Sequence, residues 1–334
     1  MRQRSLAIVG HQGLTHLGES FRQAARADGW TVRLYDMAES ERASRLVRSV
    51  AWRLLGHRPP RLRSFSSYVL TGLEHDRPDV LLTTGQSPLT AAALRRIGAA
   101  CVHRVNFSTD DPWNPSMRAQ WFLKALPEYD TVWTPRDTTT TDFLQAGVRD
   151  VRVLPFGYDP VHCIGPSLDP EERNRLACDV LFVGGADVDR QPLVAALVSA
   201  GLSVALYGGY WDRYPVPGAE WRGHVGAETI RKATLAARVA LVLVRRANRD
   251  GHTMRSVEVG AIGSCILAED TPDHRAIYGD AAAFFDTPAA MVQQAHALVA
   301  NAARREAMAA SVREQIRSSG HTYKDRLRTI LSAA

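Results

Sequence analysis

The stretch of the chain with the most chemical potential runs from Arg245 to Asp270 and reads RRANRDGHTMRSVEVGAIGSCILAED. An apolar run ending at Val244 feeds a loop that holds Arg245, Arg246 and Arg249, then Asp250-Gly251, then a helical pattern carrying Glu258. A helix start near Thr253–Ser256 presents unpaired backbone N–H groups, and its dipole favours an anion such as phosphate. Arg249 and Arg255 can add charge-assisted forks suited to a diphosphate. Glu258 sits within Val257-Glu-Val-Gly-Ala-Ile262, and an acid in such an apolar helix needs a partner. The adjacent hydroxyls of a nucleotide ribose would be one. A capping or solvated carboxylate is the plainer alternative.

Other loops of interest come directly after short apolar runs. They are Gly10-His-Gln-Gly-Leu-Thr-His16, Thr84-Gly-Gln-Ser87, Asn106 to Trp113, Gly184-Gly185 through Arg190, and Tyr207-Gly208-Gly209-Tyr-Trp211. Polar or glycine-rich loops at strand ends are where binding groups concentrate. Glycines at 10, 13 and 18 miss the GxGxxG spacing of a dinucleotide fingerprint, which disfavours a dehydrogenase. His11 and His16 suit either an acceptor contact or an ordinary helix start. Asp110 and Asp111 could hold a divalent ion, but Pro112 favours a turn in which Asp110 orients the loop or the acceptor. No metal-ligand spacing is visible. Among the aromatic residues, Trp121 reads as core, whereas Tyr210 and Trp211 are equally open to stacking on a ligand.

The elements that must position these groups alternate from end to end. Strands are expected at Leu6–Val9, Thr31–Tyr35, Val80–Leu82, Cys101–Val105, Thr131–Trp133 and Val151–Leu154. Helices are expected at Leu17–Ala27, Ser40–Arg53, Pro88–Ile97 and Thr139–Ala146. The rhythm breaks between Pro155 and Cys178 and restarts with strands at 179–183, 203–207, 239–244, 265–267 and 283–285. The intervening helices are expected at 192–200, 227–237 and 256–262, and the chain closes with helices near 288–300, 304–318 and from Tyr323. Short buried strands alternating with helices predict parallel sheets covered on both faces. The predicted organisation is an α/β protein with residues 1–155 and 156–320 as two Rossmann-like, doubly wound domains facing across a cleft. Residues 321–334 would form a helix crossing back to the first. Ligand sites would lie at the carboxyl ends of the strands.

Composition sets bounds on this reading. The chain has 334 residues, 45% hydrophobic and 23% charged, which excludes disordered, collagen-like and disulfide-stapled classes. The net charge of +6 suits an acidic ligand or an anionic surface. With charges spread along the chain, it does not point to nucleic acid. Cys101, Cys163, Cys178 and Cys265 are far apart and read as four reduced thiols. The first apolar run is too short for a signal peptide, and no run could span a bilayer, so a cytoplasmic protein is expected.

The motifs Ser108-Thr-Asp-Asp-Pro-Trp-Asn-Pro115, Leu154-Pro-Phe-Gly-Tyr-Asp159, Val183-Gly-Gly-Ala-Asp187, Leu206-Tyr-Gly-Gly-Tyr-Trp211 and Met254-Arg-Ser-Val-Glu258, with seven residues separating Asp250 from Glu258, carry a resemblance. They resemble the retaining GT-B-fold glycosyltransferases, and most nearly the spore-maturation (CgeB-like) branch of the group 1 type. The resemblance implies transfer of a sugar from a UDP-, GDP- or dTDP-sugar to an acceptor that could be a polysaccharide, a protein or a small metabolite. It implies no further cofactor, metal independence and retention of configuration. By the same likeness, Glu258 would grip the ribose, and Asp250 would touch the sugar, with His16 and Asp110 beside it on the acceptor side. Gly184, Gly185, Arg190, Tyr207, Gly208, Arg249, Gly251, His252, Thr253, Met254 and Arg255 would hold the nucleotide. Asp250 stands where the pattern more often has Glu. A GT-B sugar-nucleotide epimerase or a non-catalytic small-ligand-binding α/β protein are the alternatives.

Overall fold

The computed structural model describes residues 4–13, 16–100 and 102–333. Cys101, expected as a thiol opening a strand, and Leu14 and Thr15 of the first loop lie outside them. The chain divides into two compact units. The first contains Met1–Pro155, Ala247–Arg249 and Tyr323–Ala334, and the second contains Phe156–Arg246 and Asp250–Thr322. Among the described residues no helix is long and apolar enough to cross a membrane.

The first unit carries β1 (Ser5–Gly10), β2 (Thr31–Asp36), β3 (Val80–Thr84), β4 (His103–Phe107), β5 (Thr131–Thr134) and β6 (Val151–Val153) in one parallel sheet of order β2-β1-β3-β4-β5-β6. The second carries β7 (Val180–Val183), β8 (Val204–Tyr207), β9 (Glu220–Trp221), β10 (Val239–Val242), β11 (Ile266–Glu269) and β12 (Ala283–Phe285), ordered β12-β11-β10-β7-β8-β9 and again parallel. Strands such as Val80–Thr84 and Val239–Val242 are buried at every position, because helices cover both faces. The order of the second sheet reverses between β7 and β10. A crevice opens there at the carboxyl ends, the usual ligand position of a doubly wound sheet.

Helix positions are set by local capping chemistry. Thr90 accepts the N–H of Ala93 and starts a helix at Ala91. The expected start at Pro88 is therefore too early: Ser87 still serves the preceding turn, donating to the Thr84 and Val9 carbonyls. The single helix expected over Ser40–Arg53 is a 3-10 turn, Met37–Glu41, followed by a helix, Arg45–Leu54, capped by Ser44. A helix at Leu62–Asp76, not expected from the sequence, buries Leu62, Phe65, Val69, Leu70 and Leu73 on one face. The region expected to be irregular holds two short helices, Pro160–Cys163 and Pro170–Leu176, each opened by Asp-Pro.

The final helix, Tyr323–Ser332, belongs to the first unit. Its Tyr323 ring meets Phe21 edge to face at 5.8 Å. Asp28 accepts from Lys324 at 2.9 Å and from Arg328 at 2.7 and 2.9 Å, and these contacts hold the Asp28 carboxyl below its usual range.

Candidate donor-binding site

The second unit's crevice is built by two glycine turns. Gly184, just after β7, donates its N–H to Tyr207 O at 2.8 Å; Ala186 does the same to Gly209 O at 2.9 Å. Gly208 has φ of 131°, and a Cβ there would collide with the Gly184 carbonyl. Only glycine permits this approach. The turns border a cavity of about 300 Å³ that Gly184, Gly185, Arg190, Tyr207, Gly208 and Arg255 line together with Gly209, Tyr210, His224, Val225, Ile230 and Arg245. The lining contains three guanidinium groups and no carboxylate, so the cavity favours an anion.

The three arginines have different tasks. Arg190 is buried and donates to the carbonyls of Gly185 (3.1 Å), Val244 (3.2 Å) and Leu243 (3.4 Å). It therefore closes the gap between β7 and β10 as much as it charges it, and burial lowers its pKa. These contacts also end β10 at Val242, two residues before the expected end at Val244. Arg245 is half-buried and lines the cavity. Arg255 is exposed, lines the cavity, and pairs with Glu258 one turn further along the helix Met254–Ile262. The Glu258 side chain is 16% exposed, so it faces neither bulk solvent nor the sealed core.

The start of that helix is held by a buried polar network. Ser256 Oγ accepts the Thr253 N–H at 3.0 Å and lies 2.9 Å from His274 Nε2. His274 Nδ1 is 2.7 Å from the Glu269 carbonyl, which only an N–H can satisfy, so Nε2 is the acceptor for the Ser256 hydroxyl. His252 is 2% exposed. Its Nε2 accepts the Phe156 N–H at 3.1 Å, which leaves Nδ1 to donate to Asp273 at 2.8 Å. That hydrogen bond holds the Asp273 carboxyl below its ordinary pKa. Gly251 lies against the same carboxylate, where a Cβ would collide with it. Glu269 accepts from Val244 N at 3.0 Å and from Arg246, fixing the strand end that carries Arg245.

Not every expected residue reaches this cavity. His252 supports the Met254 helix from within, and Gly251, Thr253 and Met254 form its approach. Asp250 N donates to Arg245 O at 3.3 Å, which ties the acid to the same loop. Arg249 goes elsewhere: counted with the first unit, it binds Asp111 through two bonds (2.6 and 3.0 Å) and Asp142 at 2.7 Å. Two carboxylates therefore share it in this structure, and it does not line the cavity. Asp111 is thereby committed to an arginine. Asp110 accepts from Asn248 at 3.1 Å, and among the described residues no group of His, Cys, Asp or Glu is arranged to hold a metal ion. His16 is exposed at the start of the helix Leu17–Ala27, with its ring 5.2 Å from that of His11. Nearby in the first unit, Gln12, Asp36, Glu39, Arg61, Ser64, Phe65 and Tyr68 line a cavity of about 440 Å³. Trp211 is core, donating to the Gly184 carbonyl at 3.1 Å, whereas Tyr210 lines the donor-side cavity and is 53% exposed. His224 and Gly209 are additions to the expected set; His224 comes after an edge strand of two residues, which leaves no periodic signal.

Residues 190–332 match the protein family described as Glycosyl transferase-like. Solved structures align over nearly the whole chain. Sucrose-phosphate synthase from Thermosynechococcus elongatus is 14% identical, with 99% of this chain and 100% of that one covered and a TM-score of 0.68. The trehalose-6-phosphate protein of E. coli bound with UDP-2-fluoro glucose is 14% identical, with 98% of each chain covered and a TM-score of 0.67. Anabaena Alr3699/HepE in complex with UDP-glucose is 14% identical, covering 99% of this chain and 100% of that one, with a TM-score of 0.62. No curated protein matches the chain. The fold is that of the GT-B glycosyltransferases. With a glycosyl transferase-like domain on this fold, the chain is a transferase.

Proposed function

We propose that this chain moves a sugar from a nucleoside-diphosphate sugar to an acceptor, with the donor held in the second unit. The observation that carries the reading is the cavity at the β7/β10 reversal, bordered by Gly184, Gly185 and Gly208, with Arg190, Arg245 and Arg255 and no carboxylate in its lining, although Arg190 pairs with Asp187 and Arg255 with Glu258 behind it. Leaving-group departure in sugar transfer concentrates negative charge on the diphosphate. Guanidinium groups and backbone N–H groups fixed before the reaction stabilise that charge without reorganising. Arg255 and Arg245 take this task, with Gly184 and Gly185 allowing close approach of the phosphates. Arg190 holds the two strand ends in place.

Glu258 accepts the ribose hydroxyls in this reading, exchanging its present partner Arg255 for the nucleotide while Arg255 turns to phosphate. Asp250, on the loop before the helix, contacts the sugar. Reaction without a metal and with retention of configuration belongs to the same proposal, as does placement of the acceptor in the first unit near His16 and Asp110. The 440 Å³ cavity there, with Asp36, Glu39 and Tyr68 in its wall, offers the hydrogen-bonding groups a hydroxylated acceptor needs.

Thermal-shift titration with UDP, GDP, dTDP and their glucose conjugates tests the donor site. One nucleoside diphosphate is expected to raise Tm in a saturable way. Glu258→Ala and Arg255→Ala should each weaken binding by about tenfold or more, the scale of one charged hydrogen bond lost, while the unliganded Tm stays within a few degrees. Absence of a shift with every nucleotide, or wild-type binding by both variants, would overturn the assignment. Incubation with the donor alone, with mass spectrometry and NMR of the sugar as readouts, separates transfer from epimerisation: an isomerised donor would replace transferase by epimerase.

A further inference from the structure

The helix Arg45–Leu54 has its apolar side on the outside. Leu46 is 74% exposed, Leu54 76%, Val47 49% and Val50 43%, and Leu55 just beyond it is 59% exposed; Ala51 is the one buried residue of the helix. At helical spacing Leu46, Val47, Val50 and Leu54 share one face. An amphipathic helix of a soluble fold ordinarily turns such a face inward, so this one is displayed rather than used for packing. Arg53 flanks that face beside Leu46, and the opposite face carries Arg45, Arg48 and Trp52. Trp52 is among them, stacked on His57 at 4.2 Å and 48% exposed.

Charge identifies the occupant. From Arg42 to Leu73 the chain has seven arginines, at 42, 45, 48, 53, 58, 61 and 63, and no Asp, Glu or Lys. This is the exception to a chain whose charges are otherwise interspersed. Arg42 pairs with Glu39; none of the other six forms an ion pair among the described residues. A second copy of the chain on this face would bring two such arginine sets together, at a cost. An anionic bilayer satisfies both sides at once, accepting the leucine and valine side chains among its acyl chains and the guanidinium groups among its headgroup phosphates.

We propose that the helix Arg45–Leu54 docks this protein reversibly on an anionic lipid surface, its apolar face entering the interface and Arg42 to Arg63 reading the negative charge. The surface is separate from the donor cavity, which lies in the other unit, and stands whether or not a nucleotide sugar is the substrate.

Cosedimentation of the full chain with vesicles of phosphatidylcholine alone or with phosphatidylglycerol added tests this. Binding should be at least about tenfold stronger to the anionic vesicles and should fall steeply with added salt. In a Val50→Trp variant the added tryptophan, on the apolar face, should shift to the blue on binding and be quenched by brominated acyl chains, a component absent from the parent chain. The exposed positions make Leu46→Glu/Val50→Glu/Leu54→Glu safe for folding, with circular dichroism and Tm as controls, and this variant should lose binding. In a second variant, Arg45→Gln/Arg48→Gln/Arg53→Gln, affinity should drop about fivefold per charge removed. Three results would overturn the proposal: equal or absent binding to the two vesicle types, anionic binding that survives the triple Glu substitution, or a concentration-dependent dimer that the same substitution abolishes while vesicles are ignored.

Discussion

His274 is fully buried, donating to the Glu269 carbonyl and accepting from Ser256. Burial pushes its pKa down to about 4 from the ordinary value of 6.5. Below pH 6.5 the unfolded chain takes up a proton at this ring and the folded chain does not, so stability falls with pH until about pH 4, where the folded ring also titrates. The slope attributable to this residue is about 1.4 kcal/mol per pH unit over that window. Urea unfolding at pH 7 and pH 5 should show it, and His274→Gln should flatten the dependence over the same interval while lowering stability at pH 7. An unchanged slope in the variant would assign the acid sensitivity to other groups. Local sequence in this neighbourhood points to His252 as a ligand-binding residue and gives no sign of His274. The reason is physical: His252 is held by Phe156 and Asp273, and His274 by Ser256, partners that lie on other elements and are invisible to local spacing. The ion pairs of Arg249 are hidden for the same cause. Its type and position suit phosphate, but Asp111 and Asp142, more than a hundred residues away in sequence, reach it first.

At the scale of elements, strands and glycine turns are legible in the sequence, and helix starts are less so. Gly184-Gly185 and Gly208-Gly209 announce close backbone approach because no other residue permits it. The structure places Gly208 against Gly184 at φ of 131°. Gly208→Ala should therefore cost at least about 2 kcal/mol of stability, from the collision and the unfavourable φ together, measured by urea unfolding. It should also weaken nucleotide binding more than the drop in Tm alone would suggest, because the turn itself lines the cavity. A fully stable, fully binding variant would mean the two turns can separate freely. The Leu62–Asp76 helix is hidden in the sequence because the Pro59-Pro60 pair ahead of it reads as a break, although proline restricts the residue before it more than the one after. The Arg45–Leu54 helix is legible as a helix, but not in its orientation. Its periodicity is the same whether the apolar face meets the core or the solvent, and only the exposures decide.

At the scale of the whole molecule, alternation of strand and helix is sufficient to expect two parallel sheets, since each needs covering on both faces. The division of the chain between them is less simple than two consecutive halves, because Ala247–Arg249 and Tyr323–Ala334 return to the first unit. Deletion of Tyr323–Ala334 would uncover Phe21 and strip Asp28 of Lys324 and Arg328. Calorimetry of the deleted chain should show the transition of the first unit lowered by about 5 °C or more, since several kcal/mol of apolar contact are lost, with the second unit's transition less affected. Two transitions equally lowered, or neither, would contradict the assignment of this helix to the first unit alone.

That return of the last segment also bears on synthesis. A ribosome delivers the six strands of the first sheet early, yet the helix that covers Phe21 emerges only after the whole of the second unit. Throughout translation of the second unit the nascent amino-terminal sheet must wait with an apolar patch open, a natural client for a chaperone until that helix emerges.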